Sequence, residues 1–283
     1  MRSSPGTVDV PVGELTFRVD TDGPEDGPPV VLLHGFPTTR RSWRAAASEL
    51  ADRGMRTIVP DQRGYSPGAR PGAVANYHVD QLAEDVVGLL DAFGLSSVHL
   101  VGHDWGAIAA WAAAARRPDR VDRLTAVSVP HPAAFRWAVR EDPDQRSRSS
   151  YISLLRMPGK AEEVLLADDA RRLRAMYGTG MPAENIDDYL ATLTEPGALT
   201  AALNWYRAMD AGLEAVPPVR TPTTFVWASD DAAIGRAGVE RCHDFVAAPY
   251  RFVELTGSHW VPEEQPAAMV DAIVTPVVQG TPG

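Results

Sequence analysis

Apolar residues fall in two alternating kinds of segment along this chain. Val30-Val31-Leu32-Leu33 is apolar at every position, as expected of a strand covered on both faces. Residues 57–59, 98–101, 124–129, 224–227 and 252–255 repeat that character, and residues 8–12 and 15–19 predict an opening hairpin. Between these runs, residues 43–52, 79–93, 105–117 and 266–274 predict helices. Strands alternating with helices imply an α/β fold, with a mostly parallel sheet covered by helices on both faces.

The alternation lapses between Pro130 and Val219. That stretch has few β runs and many helix formers, for example residues 161–166 and 170–177, and Pro130, Pro132 and Pro217-Pro218 bracket it. The expectation is an α/β core in two parts, residues 1–129 and 220–283, with a helical cap inserted over residues 130–219. No internal repeat or low-complexity segment is visible.

One turn carries most of the chemistry. Gly102-His103-Asp104-Trp105-Gly106 lies between a predicted strand and an Ala-rich predicted helix and has the spacing of a nucleophile elbow. Asp stands where esterases hold Ser, which excludes a serine esterase. A carboxylate lifted clear of the backbone there can attack carbon in an alkyl group or a strained ring. The competing role for Asp104 is a helix N-cap, against which the two flanking glycines weigh.

A nucleophilic carboxylate needs a base for the second half of a reaction. His259, in Gly257-Ser258-His259-Trp260, follows the last predicted strand and is the last of the seven histidines. This suits the hydrolase order of nucleophile, acid, His. The acid should follow the strand at 224–227, where Asp230 and Asp231 are adjacent; Asp231 is preferred and Asp230 is the alternative. It would hold the His259 tautomer and stabilise the imidazolium. His34-Gly35-Phe36-Pro37 follows the strand at 30–33. Its loop could aim the Phe36 N–H into the site beside the Trp105 N–H, as an oxyanion hole. The Phe36-Pro37 bond is a candidate for cis, since X–Pro is the usual place for it.

Composition narrows the partners. The chain has 283 residues, 45% hydrophobic, and a net charge of −10, which argues against nucleic acid and anionic membranes. Lys160 is the only lysine among 27 basic residues, a composition bias without mechanism. The Arg116, Arg117, Arg120 and Arg123 cluster reads as a solvated helix end. Cys242 is the only cysteine, so neither an intramolecular disulfide nor a multi-Cys metal site is expected. No apolar segment follows the first residues and none is long enough to span a bilayer, so a cytoplasmic location is expected.

These residues resemble the epoxide hydrolases of the α/β-hydrolase fold. The likeness covers His34 to Pro37, Asp61-Gln62-Arg63-Gly64-Tyr65-Ser66, Gly102 to Gly106 and Gly257 to Trp260. These elements are shared with haloalkane dehalogenases; the cap decides between the two. The segment from Tyr151 to Glu162 and the segment Leu203 to Met209, which holds Tyr206, resemble those carrying the two tyrosines of epoxide hydrolases. The resemblance implies that Asp104 opens an epoxide while Tyr151 and Tyr206 donate to its oxygen. His259 then activates water against the Asp104 ester, and a vicinal diol leaves. It also implies no metal and no organic cofactor. The expected partners are a small apolar epoxide and water, with a homodimer left open. Asp61 to Ser66 reads as structural, and Ala228 departs from the Gly common in the acid segment.

The alternative enzyme is a haloalkane dehalogenase using the same triad. It would usually carry Asn or another halide donor at position 36, and the Phe36 side chain cannot donate. Fluoroacetate dehalogenases favour Arg where this chain has Trp105. A non-catalytic ligand receptor is disfavoured because every catalytic position is filled. Phe135, Trp137, Leu154, Met157, Met181 and Trp205 are the candidates for an apolar pocket.

Overall fold

The computed structural model describes residues 3–209 and 211–277. Its strands are β1 (Ser3–Val12), β2 (Leu15–Gly23), β3 (Pro29–Leu33), β4 (Arg56–Pro60), β5 (Val98–His103), β6 (Val121–Val127), β7 (Thr223–Ala228) and β8 (Tyr250–Leu255). They form one eight-stranded sheet in the order β1-β2-β4-β3-β5-β6-β7-β8. The pairs β1–β2 and β2–β4 are antiparallel and every other neighbouring pair is parallel.

Three helices precede β6 or lie beside it: α1 (Arg44–Asp52), α2 (Val79–Ala92) and α3 (Trp105–Arg116). Between β6 and β7 come α4 (Pro132–Glu141), α5 (Pro143–Arg148), α6 (Ile152–Leu155), α7 (Lys160–Ala175), α8 (Ala183–Leu193) and α9 (Ala198–Arg207). The chain ends with α10 (Arg236–Glu240), α11 (Val261–Glu264) and α12 (Pro266–Val274). Of the two helical stretches expected near 161–166 and 170–177, the first lies within α7 and the second overlaps it, ending at Ala175 rather than Tyr177. They are broken at Ala167 to Ala170, where Asp168, Asp169 and Ala170 all take positive φ.

The continuous apolar runs are explained by two cores, one on each face of the sheet. Val31, Leu33, Ile58 and Leu100 pack with Leu82 and Val86 of α2 and Ile108 of α3. Val30, Leu32, Val59 and Val101 pack with Leu50 of α1 and Met269, Val270 and Ile273 of α12. Successive side chains of a strand point to opposite faces, so a strand serving two cores must be apolar throughout. β8 departs from the expectation of burial on both faces. It is the last strand of the sheet, no residue of it is fully buried, and Phe252 is exposed.

The Arg cluster is half-buried rather than freely solvated, with Arg116, Arg117 and Arg120 paired to Asp80, Asp119 and Asp91. The Asp61 to Ser66 segment is held at its base, where Asp61 binds the Arg40 side chain and Ser66 Oγ donates to the Asp61 carbonyl at 2.6 Å. A two-pronged Arg63–Asp85 bridge of 2.7 and 2.6 Å ties it to α2. No helix among the described residues is long and apolar enough to cross a membrane.

Candidate active site

Asp104 stands between β5 and α3 with φ 53° and ψ −119°. A non-glycine residue held there stores about 1–3 kcal/mol of backbone strain, which persists only where the surroundings enforce it. Close packing enforces it here. A Cβ on Gly102 would stand 2.1 Å from the Gly106 carbonyl oxygen, and one on Gly106 would stand 2.3 Å from that of Leu33. The N-cap role is excluded, because the Asp104 side chain makes no capping hydrogen bond to α3. Its Oδ1 instead accepts the Phe36 N–H at 2.8 Å, and the Trp105 N–H also donates to the carboxylate. The two amides expected to form an oxyanion hole therefore both donate to the Asp104 carboxylate. Burial raises the Asp104 pKa, opposed by His259 and by these two amides.

The loop that supplies Phe36 is built around a neutral histidine. His34 Nδ1 donates to the Gly35 carbonyl at 2.9 Å and its Nε2 accepts the Gln62 N–H at 3.1 Å. Burial lowers its pKa to about 4. His34 thus shapes the site from behind. Gly35 has no room for a side chain, since a Cβ would sit 2.4 Å from the Asp104 Cβ. The Phe36-Pro37 bond is cis, and the Pro37 carbonyl accepts the Tyr177 hydroxyl at 2.8 Å.

His259 Nδ1 lies 2.9 and 3.0 Å from the two Asp231 oxygens, and its Nε2 is 3.7 Å from Asp104 Oδ2. Burial pulls the His259 pKa down, but the Asp231 and Asp104 carboxylates overcome it and raise it to about 9. Burial works against the Asp231 anion too, yet His259, Ser128 and the backbone hold its pKa below the usual value. Asp231 Oδ1 accepts the Ala233 and Ile234 N–H groups at 2.8 and 2.9 Å. Asp230 is exposed and only its neighbour points inward, so adjacency in sequence hid a clear difference in environment.

Phe36, Asp104, Tyr151, Tyr206 and His259 line one cavity of about 790 Å³. Tyr206 is buried and Tyr151 half-buried, their ring centroids 6.4 Å apart. The Tyr206 ring meets those of Phe36 and Trp105 edge-on at 5.2 Å. Burial pushes both phenols well above their ordinary pKa, with the Asp104 charge adding to it, so both remain hydrogen-bond donors. Among the described residues no group of His, Cys, Asp or Glu is placed to hold a metal ion.

Of the apolar pocket candidates, Leu154 lines the cavity. The others do not. Trp205 packs against Tyr65 and Trp105, Met181 joins Tyr177, Tyr189 and Trp260, and Phe135 is in the main core. Trp137 lies under the Arg241 guanidinium and Met157 is exposed. The wall is completed by residues the sequence did not single out, among them Leu165, Met176, Tyr177 and Trp260. Ser128 and His103 are also unforeseen. His103 Nε2 meets the His259 carbonyl at 2.9 Å, and burial lowers its pKa to about 3, so it braces the His259 backbone without charge.

Comparison with known proteins bears on the fold and the family. A family model described as the alpha/beta hydrolase fold matches residues 28–266. Epoxide hydrolase A of Mycobacterium tuberculosis is 33% identical over 303 residues, covering 92% of this chain and 93% of that protein. The AB hydrolase superfamily protein YfhM of Bacillus subtilis is 34% identical over 267 residues, covering 92% and 93%. The crystal structure of epoxide hydrolase A from Mycobacterium thermoresistibile superimposes with a TM-score of 0.83 at 32% identity, over 95% of this chain and 98% of that one.

Proposed function

The chain belongs to the epoxide hydrolases of the α/β-hydrolase fold, and on that premise we propose that it opens epoxides to vicinal diols through an ester on Asp104. Residues 130–219 serve in this reading as a cap over a core of 1–129 and 220–283. The observation that carries it is the meeting, in one cavity, of Asp104 and His259 with two tyrosines, Tyr151 and Tyr206, from the cap segment.

In the first step a carboxylate oxygen of Asp104 attacks a ring carbon and the carbon–oxygen bond of the epoxide breaks. Tyr151 and Tyr206 donate to the departing oxygen, and one of them gives it a proton. In the second step His259 takes a proton from water as the water attacks the ester carbonyl. Charge on the carbonyl oxygen is met by the Phe36 and Trp105 amides, which already donate to the Asp104 carboxylate. The ester bond breaks, the diol oxygen takes the proton from His259, and the proton left over on restoring the Asp104 carboxylate returns to the tyrosine. Asp231 fixes the tautomer of His259 throughout.

Styrene oxide and a chloroalkane, each supplied in ¹⁸O-labelled water, test this reading. Diol from the epoxide is the expected product, and in a single turnover the label should enter Asp104 rather than the diol. Halide release without diol formation overturns the reading. Label in the first-turnover diol overturns the two-step scheme. Changing both tyrosines to phenylalanine should lower kcat/KM for the epoxide by about 10²–10⁴-fold, the usual contribution of positioned acids. Retention of epoxide turnover in that double variant would remove the tyrosines from the mechanism.

The charge on Asp104 also predicts a pH signature. His259 is raised to about 9 partly by that charge, so it is the imidazolium in the resting site at neutral pH. Esterification cancels the Asp104 charge, one of the anions that raise the His259 pKa, so the imidazolium gives up its proton to solvent and becomes the neutral base that the second step needs. The apparent pKa of ester hydrolysis should therefore lie below that of His259 in the free enzyme, measured by NMR titration. Coincidence of the two values would contradict this.

A further inference from the structure

Ser128 follows β6 directly, and its place in the sheet brings it between the nucleophile and the acid. β6 pairs with β5 on one side, where Val127 faces His103, and with β7 on the other, where Val127 faces Val226. The next residue therefore stands beside Asp104 and below the turn that carries Asp231. Ser128 is buried and adopts φ 70°, a region that non-glycine residues enter at a cost. Its N–H is anchored on the Val226 carbonyl at 2.8 Å. Strain of this kind in a buried polar residue invites a search for what its side chain does.

The side chain reaches both members of the acid–base pair. Ser128 Oγ donates to Asp231 Oδ2 at 2.5 Å and lies 2.9 Å from His259 Nδ1. With the Ala233 and Ile234 amides on Oδ1, and Ser128 and His259 on Oδ2, Asp231 receives four donors. A carboxylate offers about four such positions, so its acceptor capacity is filled. The hydroxyl carries one hydrogen, committed to Asp231; it can therefore meet Nδ1–H only as an acceptor.

Resting on the reaction proposed above, we infer that Ser128 is a positioning residue for ester hydrolysis, orienting Asp231 and His259 and moderating how tightly the acid holds the base. Its short bond to a charged oxygen outweighs its share of an N–H that already meets two carboxylate oxygens. Without the hydroxyl, Asp231 turns more of its charge on His259, which then holds its proton to higher pH. The other titratable or charged groups around His259 are Asp104, His103, Glu264, Tyr151 and Tyr206, with Arg148 bound to the Asp231 carbonyl. None of them donates to Asp231 Oδ2 in its place.

Ser128→Gly is the main test, because glycine accepts positive φ without strain and so protects folding. The acid limb of kcat is expected to move up by about 0.5–1 pH unit, lowering kcat on that limb about three- to tenfold. The rate of Asp104 esterification in a single turnover should stay within about twofold. Ser128→Ala should shift the same limb, and Ser128→Asn, which tolerates this backbone and keeps a donor, should restore it. An unmoved limb in Ser128→Gly, or equal slowing of both steps with a lowered Tm, overturns the inference alone. Absence of an Asp104 ester in the unaltered enzyme overturns the two-step reading and the inference with it.

Discussion

Asp104→Ala is expected to abolish epoxide turnover, lowering kcat by about 10⁴-fold or more, as removal of a covalent nucleophile does. The first step has no substitute for this carboxylate. Among the cavity-lining residues the other carboxylate is Glu264, whose oxygens accept the Ser258 N–H at 3.0 Å and hydroxyl at 2.7 Å. Alanine tolerates φ 53° less well than Asp, and burying one charge fewer works in the opposite direction. A Tm measured alongside separates lost chemistry from lost fold, and Asp104→Gly removes the backbone strain altogether. Diol formation within tenfold of the unaltered enzyme, in a folded Asp104→Ala protein, would falsify Asp104 as the nucleophile.

His259→Gln should stop the reaction halfway. Alkylation needs the Asp104 anion and the tyrosines, whereas hydrolysis needs a group that takes a proton from water, and glutamine cannot. His259 Nε2, 3.7 Å from Asp104 Oδ2, is near enough for one water attacking the ester carbonyl to lie within reach of both. Steady-state kcat is expected to fall by about 10²–10⁴-fold. The protein should gain the mass of one intact epoxide, because ring opening adds the whole molecule and expels nothing. Intact-protein mass spectrometry after mixing with styrene oxide reads this directly. An unmodified protein that turns over slowly would mean that water, and not Asp104, opens the ring.

Much of this site was legible in one dimension because its signals are local. Gly102 and Gly106 announce a turn that admits no Cβ, and in the fold those positions are closed by backbone oxygens. The alternation of strands and helices predicted the sheet, and the two cores explain why its central strands are apolar throughout. β8 misled because an edge strand can be apolar in sequence yet half open in space. Asp230 and Asp231 were nearly equivalent as letters; the turn after β7 sends one into the site and leaves the other exposed.

The pocket wall was the least legible part. A helical pattern identifies an apolar face but not whether it meets the core, a cavity or solvent. Leu154, Trp205 and Met157 had equal standing in the sequence and met those three fates in turn: cavity, packed interior and exposure. Ser128 gave no signal at all. Its partners lie 103 and 131 residues away, and a lone serine after a strand is an ordinary thing.

The sequence by itself determined the chemistry on offer: a carboxylate in place of serine at a glycine-flanked elbow, a histidine last in order, and tyrosines in the intervening helical segment. These are matters of residue type and spacing, which a chain carries before it folds. The tertiary structure decided which groups meet and in what electrical state. Parallel neighbours β5, β6, β7 and β8 bring Asp104, Ser128, Asp231 and His259 to one edge of the sheet. Burial there gives the charges their weight, raising His259 to about 9, because distance and desolvation exist only once the strands are paired.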